Sequence, residues 1–203
     1  MNILVILAHP ANGSFNHAIA SVTIDTLKKN GYNVFFHDLY AELFDPVLYS
    51  AEIPKNSRIS EEIEVHCKEL VSCIGLVIIH PNWWGQPPAL LKGWIDRVLR
   101  PGVAYRFLDG DSGEGIPVGM LKAKTAIIFN TANTSEEREN EVFGDPLELI
   151  WKNCIFNLCG VKNFYRKIFR IVVTSTQEIR EGWLDEVRDT IENYFPVEKV
   201  DLK

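Results

Sequence analysis

The chain has 203 residues, 46% of them hydrophobic and 24% charged, the proportions of one globular domain with a sizeable core. Its net charge of −6 leaves no basic stripe to neutralise phosphates, which argues against nucleic-acid binding. No apolar stretch has the length to span a bilayer, and Met1-Asn2-Ile3 runs into a strand with no basic leader.

Cys67, Cys73, Cys154 and Cys159 lack any metal-ligand spacing. A cytoplasmic protein with reduced thiols and no metal site is expected. Ile3 to Ala8 is a β-branched run that opens into His9-Pro10-Ala11-Asn12-Gly13-Ser14-Phe15-Asn16. Ser14 is placed to cap a helix running to about Asn30, with Gly31 as its stop. Free N–H groups at that helix start make an anion site, with hydroxyl and amide donors around it. The loop has neither a Walker Gly-Lys-Ser/Thr nor a GxGxxG pattern.

Asn33 to Asp38 gives a second strand, and Leu39 to Arg58 is irregular, broken at Asp45-Pro46 and Ile53-Pro54. A helix from Ser60 to about Ser72 feeds a third strand, Leu76 to Ile79, ended by Pro81. Asn82, Trp83, Trp84, Gly85 and Gln86 form the next loop, and a helix spans Ala89 to Leu99 with Leu90, Leu91, Trp94 and Val98 inward. Arg100 to Ala123 is a second long irregular stretch, carrying Tyr105 and Phe107.

Thr125 to Phe129 is the fourth strand, opening into a loop of Asn130, Thr131, Ala132, Asn133 and Thr134, with Thr134 and Glu137 as a capping box. Asp145-Pro146 starts a helix that ends at Gly160, and the fifth strand is expected over Ile168 to Val173. A last helix turns Trp183, Leu184, Val187, Ile191 and Tyr194 inward.

Strands alternating with helices argue one α/β domain over 1–203. Its expected fold is a doubly wound sheet of five parallel strands, with helices on both faces. Right-handed crossovers favour the flavodoxin-like order 2-1-3-4-5. The loops after strands 1, 3 and 4 then meet on one rim. One offers an anion site, one aromatic faces and one small polar groups, together the requirements of a flavin. Among the histidines, His9 is assigned to phosphate, His80 to packing, and His17, His37 and His66 to ordinary surface positions.

At these residues the sequence resembles the flavin-dependent NAD(P)H:quinone oxidoreductases of the DT-diaphorase type. Ala8-His9 with Ser14-Phe15-Asn16 carries the resemblance, as do Pro81 through Trp84 and Pro88-Ala89-Leu90-Leu91-Lys92-Gly93-Trp94. Val103-Ala104-Tyr105 and Glu181-Gly182-Trp183 add to it. It implies a homodimer with one flavin per subunit and a ping-pong cycle, NAD(P)H delivering hydride and a quinone-like acceptor then taking two electrons. By position, His9, Ser14, Phe15 and Asn16 hold phosphates and Pro81, Asn82, Trp83 and Trp84 line the ring. Asn130, Thr131, Ala132 and Asn133 face its polar edge, and Tyr105 and Phe107 close the neighbouring subunit's pocket.

FAD is preferred over FMN, because Leu39–Arg58 offers room for adenosine and Arg180 a contact to it. Two departures from the diaphorase pattern stand out. Ala132-Asn133 replaces a Gly-Gly, and Glu136 to Gly144 lacks the usual Tyr and His, with Phe143 at the His position. A nitro- or azo-reductase and a regulatory flavoprotein subunit of a membrane transport system are the alternatives.

Overall fold

A computed structural model describes residues 1–54, 57–108, 110–111 and 113–197. In chain order its elements are β1 (Asn2–Leu7), α1 (Phe15–Lys29), β2 (Asn33–Asp38), α2 (Glu61–Ser72), β3 (Gly75–Pro81) and α3 (Ala89–Val98). There follow β4 (Tyr105–Arg106), β5 (Val118–Gly119), β6 (Thr125–Ala132), α4 (Glu136–Glu141), α5 (Pro146–Glu148), β7 (Asn163–Arg170) and α6 (Gln177–Tyr194). Five strands form one parallel sheet ordered β2-β1-β3-β6-β7, and β4 and β5 make a small antiparallel pair. Taken by their order among the sheet strands, this is the expected 2-1-3-4-5 arrangement.

Alternation along the central strands divides the core in two, as the period of a strand requires. Leu4, Ile6, Leu76, Ile78, Ala126 and Ile128 face α2 and α3, and Leu147 and Trp151 join them. Ile3, Val5, Val77, Ile79, Ile127 and Phe129 face α1 and α6. Helices therefore cover both faces, and β3 and β6 are buried along their whole length.

Three elements differ from the sequence expectation. β6 continues through Asn130, Thr131 and Ala132 rather than opening at Phe129, because Asn130 and Thr131 stay in register with His80 and Pro81 of β3. The last strand is Asn163–Arg170, earlier than expected. It is an edge strand, so it alternates Tyr165 and Phe169 with Arg166 and Arg170 and contains no unbroken apolar run. Ser135, one residue later than Thr134, caps α4 by accepting from Arg138 N. Asp145 and Pro146 do start α5, which passes into a wider π-wound turn over Leu149–Asn157.

The irregular stretch after β2 is a clamp on α3. The Arg97 Nε and Nη2 donate to the Glu52 carboxylate at 3.0 and 2.6 Å, and Nη1 donates to Asp45 O at 2.6 Å. Arg100 Nη2 adds a bond to Glu52 O at 2.7 Å. Gly93 allows this approach, since a Cβ there would lie 2.3 Å from Pro46 Cα. Gly93→Ala should therefore lower unfolding free energy by about 2 kcal/mol or more, read from urea denaturation midpoints.

Candidate functional site

The carboxyl ends of β1, β3 and β6 stand side by side. Pro81 is level with Thr131, and Asn82 N donates to Thr131 O at 2.7 Å, closing the ladder at the rim. Above this edge lies a cavity of about 310 Å³. It gathers His9 and Ser14–Asn16 from the first loop, Pro81–Trp83 from the third, and Thr131–Asn133 from the end of β6. Of the residues predicted to hold the cofactor, Trp84 and Asn130 are the two outside it. Trp84 lines an adjoining cavity of about 580 Å³ with Arg138 and Phe143, and Asn82 and Thr134 border both. Asn130 lies beneath the site, fully buried.

The first backbone N–H groups of α1, those of Phe15 and Asn16, have no partner inside the helix. The Phe15 ring packs on Phe169 and Trp183, with centroids 5.9 and 5.6 Å away. That residue thus offers an anion its backbone N–H, not its side chain. Ser14 sits at the cap position without capping; its Oγ bonds His17 Nδ1 at 2.8 Å instead. Asn16, 2% exposed, donates Nδ2 to Thr131 Oγ1 at 2.9 Å and leaves Oδ1 buried with no partner. His9 Nδ1 lies 3.1 Å from Ala11 N and 3.3 Å from Ala11 O. Burial holds its pKa below the ordinary imidazole value, against the Ala11 contact.

Trp83 and Gln86 exchange both backbone hydrogen bonds, at 3.1 and 3.0 Å, which makes Trp84-Gly85 the two central residues of a tight turn. Both have positive φ, 57° and 68°. Gly tolerates that conformation; a tryptophan there is strained, and its side chain is fully exposed. Asn82 Oδ1 accepts from Gly85 N at 3.0 Å, while Nδ2 donates to Glu139 Oε1 at 3.0 Å, tying the turn to α4.

A buried polar network supports this rim from below. His80 Nδ1 donates to Pro81 O at 2.8 Å. Its Nε2 accepts from Asn130 Nδ2 at 2.9 Å and Trp151 Nε1 at 3.0 Å. Asn130 Oδ1 accepts from Arg166 Nε at 2.6 Å, and Arg166 Nη1 donates to Asp145 at 2.7 and 2.8 Å. Burial pushes His80 down to about 3, so the ring is neutral.

The surface assignment of His17, His37 and His66 is overturned. His66 is 2% exposed, and its Nδ1 accepts from Trp94 Nε1 at 3.2 Å. Burial, then the charge of His37, lowers it to about 4. His37 donates to Glu42 at 3.0 Å and to Glu69 at 2.5 Å. His17 bridges Ser14 and Asp38. None of these was legible, because Asp38, Glu69 and Trp94 come to them from other elements. Donor atoms of His37, Glu42 and His66 come within 4.8 Å of one another, the spacing of a metal site. The tautomers work against one: the indole N–H already takes the His66 Nδ1 lone pair, and freeing Nε2 would set two N–H donors face to face.

Burial disfavours the charged His37 ring, but its bonds to Glu42 and Glu69 outweigh this and hold the pKa above the usual value. The resulting stabilisation is complete below about pH 6.5, the unfolded value, and is lost as pH rises through the folded one. The stability gap between wild type and His37→Asn should shrink as urea titrations move from acid to alkaline pH. His80 has the opposite sign and cancels in the difference between the two proteins; for His66 the burial part, the larger one, cancels as well.

Residues 1–194 match a family model described as flavodoxin-like fold. An uncharacterized NAD(P)H oxidoreductase of Haemophilus influenzae is 36% identical over 189 residues, covering 91% of each chain. The chain belongs to the flavodoxin-like family. This family member is also 27% identical to NAD(P)H dehydrogenase [quinone] 1 of Cavia porcellus, over 95% of its own length and 79% of the relative's. Among solved structures it superposes on an NAD(P)H:quinone oxidoreductase from Methanothermobacter marburgensis with a TM-score of 0.81, at 25% identity and with 96% of each chain covered. In this flavodoxin-like chain Tyr105 and Phe107 line a separate apolar cavity with Ile95, Leu99 and Leu158, and neither residue borders the cavities at the rim.

Proposed function

We propose that the chain is a flavin-dependent NAD(P)H oxidoreductase that reduces quinones or similar electron-poor aromatics by two electrons. The observation that carries this reading is the buried, unpartnered Oδ1 of Asn16, a residue that lines the rim cavity, beside the free N–H groups that start α1. Together they match a ligand with hydroxyl donors next to a phosphate, as a flavin's ribityl chain is. Ser14 and the backbone N–H groups of Phe15 and Asn16 hold the phosphate, with the His9 ring as a further contact. Asn16 and Thr131 meet the hydroxyls, Trp83 offers an aromatic wall, and Ala132 and Asn133 border the ring's polar edge.

Bound flavin supplies the hydride chemistry between nicotinamide and acceptor. The protein's part is to bind and orient. Trp84, Phe143 and the Arg138 guanidinium, 5.1 Å over the Phe143 ring, give the adjoining cavity flat faces for an aromatic substrate. With no Tyr or His between Glu136 and Gly144, N–H groups of the rim serve as the donors toward reduced flavin.

FAD is the favoured form, but Leu39–Arg58 is not the reason, since Asp45, Pro46 and Glu52 of that segment pack against α3. A cavity of about 410 Å³ is lined by Ser135, Ile171, Thr174 and Trp183, the first two being chain neighbours of Thr134 and Val172 of the rim cavity, and it suits an adenosine. Arg180 holds its wall through Ser175 Oγ at 2.7 Å and Val172 O at 3.1 Å. In a homodimer, Tyr105 and Phe107 would close the partner's substrate cavity.

Anaerobic stopped-flow spectra of flavin-loaded protein test the reading. Bleaching by NADH or NADPH and recovery on adding a benzoquinone are expected; bound flavin that neither nucleotide bleaches would contradict it. Asn16→Ala should weaken flavin binding by about tenfold. Trp84→Ala should raise the KM for quinone by about tenfold while leaving the flavin Kd nearly unchanged.

A further inference from the structure

The loop that starts α1 contains a three-member chain that ordinary phosphate binding does not need. Asp38, at the end of β2, has Oδ1 fixed by the N–H groups of Tyr40 and Ala41 at 3.1 and 3.2 Å. Its Oδ2 lies 3.1 Å from His17 Nε2. On the far side of the ring, His17 Nδ1 lies 2.8 Å from Ser14 Oγ. Both side chains of the pair are largely buried, 21% and 14% exposed.

An ionised carboxylate only accepts, so His17 Nε2 must carry a hydrogen. In the neutral ring Nδ1 is then a lone pair, and the Ser14 hydroxyl hydrogen points to it. Ser14 in that state turns oxygen lone pairs toward the cavity, where it borders the free N–H groups of Phe15 and Asn16. An anion placed there would meet a hydroxyl oriented the wrong way. If Nδ1 gains a proton, the ring donates to Ser14 Oγ, and the hydroxyl hydrogen is released toward the ligand.

We propose that Asp38, His17 and Ser14 form a proton-linked positioning device for the cofactor phosphate, in which anion binding draws one proton onto His17 Nδ1 and turns the Ser14 hydroxyl outward. The proton comes from solvent: an N–H bond forms at Nδ1, the solvent donor loses that hydrogen, and no other covalent bond changes. Among the described residues, the titratable groups that face the ring are Asp38 from β2 and His9 from the loop after β1, whose ring centroid is 6.2 Å away. The ring bonds Asp38 on one side and Ser14 on the other, and the His9 ring stands edge-on to it. His17 is a positioning residue: it acts on the ligand through Ser14.

The inference rests on the flavin reading, and one experiment separates the two. Flavin-free full-length protein is titrated calorimetrically with FAD at about pH 8, in two phosphate-free buffers of different ionisation enthalpy. The FAD pyrophosphate does not titrate there, so proton uptake belongs to the protein. Wild type should take up close to one proton per FAD, with affinity falling by up to about tenfold per pH unit on the alkaline side. Riboflavin, which has no phosphate, should take up none.

His17→Gln should bind FAD with no uptake and a flat pH profile. Ring ¹⁵N shifts of His17 in the wild-type chain give a reading independent of any variant: Nε2–H tautomer without flavin, imidazolium with it. Uptake that persists in His17→Gln would assign the proton to His9 and overturn the proposal. A neutral His17 in the complex, or FAD binding with no uptake by wild type, would also overturn it while leaving the flavin reading intact. Failure of wild type to bind FAD and FMN at all would remove the flavin reading and this inference with it.

Discussion

The parallel pairing of β3 with β6 as far as Pro81 and Thr131 is the constraint on which the rest depends. Pro81 cannot donate to a ladder, so the sheet would be expected to part there. The next residue closes it instead, Asn82 N reaching Thr131 O. With that bond in place the two loops leave the sheet at one height. The β1 loop, held by Ala8 N to Ile79 O at 3.0 Å, joins them. A rim cavity between three loops follows from register alone.

Holding polar groups at the end of a buried sheet has a desolvation cost that must be met locally. His80 and Asn130 would each be an error in an apolar core. Paired across β3 and β6, and satisfied further by Trp151 and Arg166, they become a support that reaches from the Pro81 carbonyl to the Asp145 cap of α5. The elements on either side of the adjoining cavity are thus tied through one network. The strain sits above it, at Trp84, where an exposed aromatic in a left-handed conformation is useful only if something stacks on it.

Much of this was legible in the sequence. The strand order followed from alternation and crossover handedness, and the convergence of the three loops from strand order. Gly93 and Trp94 were visible as a motif, though their reasons were not: one admits Pro46 to the face of α3, the other donates to His66. β7 was misplaced because an edge strand carries Arg166 and Arg170 where a central one carries apolar residues. The histidines were the larger gap. His17, His37 and His66 have unremarkable neighbours in sequence, and their roles come from Asp38, Glu69 and Trp94, brought to them by tertiary contact. Asn130 was assigned to the loop it in fact supports.

A crystal structure of the flavin-bound protein is the most direct measurement of the central claim, that the β1, β3 and β6 loops together form a flavin site. The account predicts phosphate density on the N–H groups of Phe15 and Asn16, a ribityl hydroxyl within hydrogen-bond distance of Asn16 Oδ1, and the ring against Pro81–Trp83. Flavin bound elsewhere, with Asn16 Oδ1 still unpartnered, would contradict it.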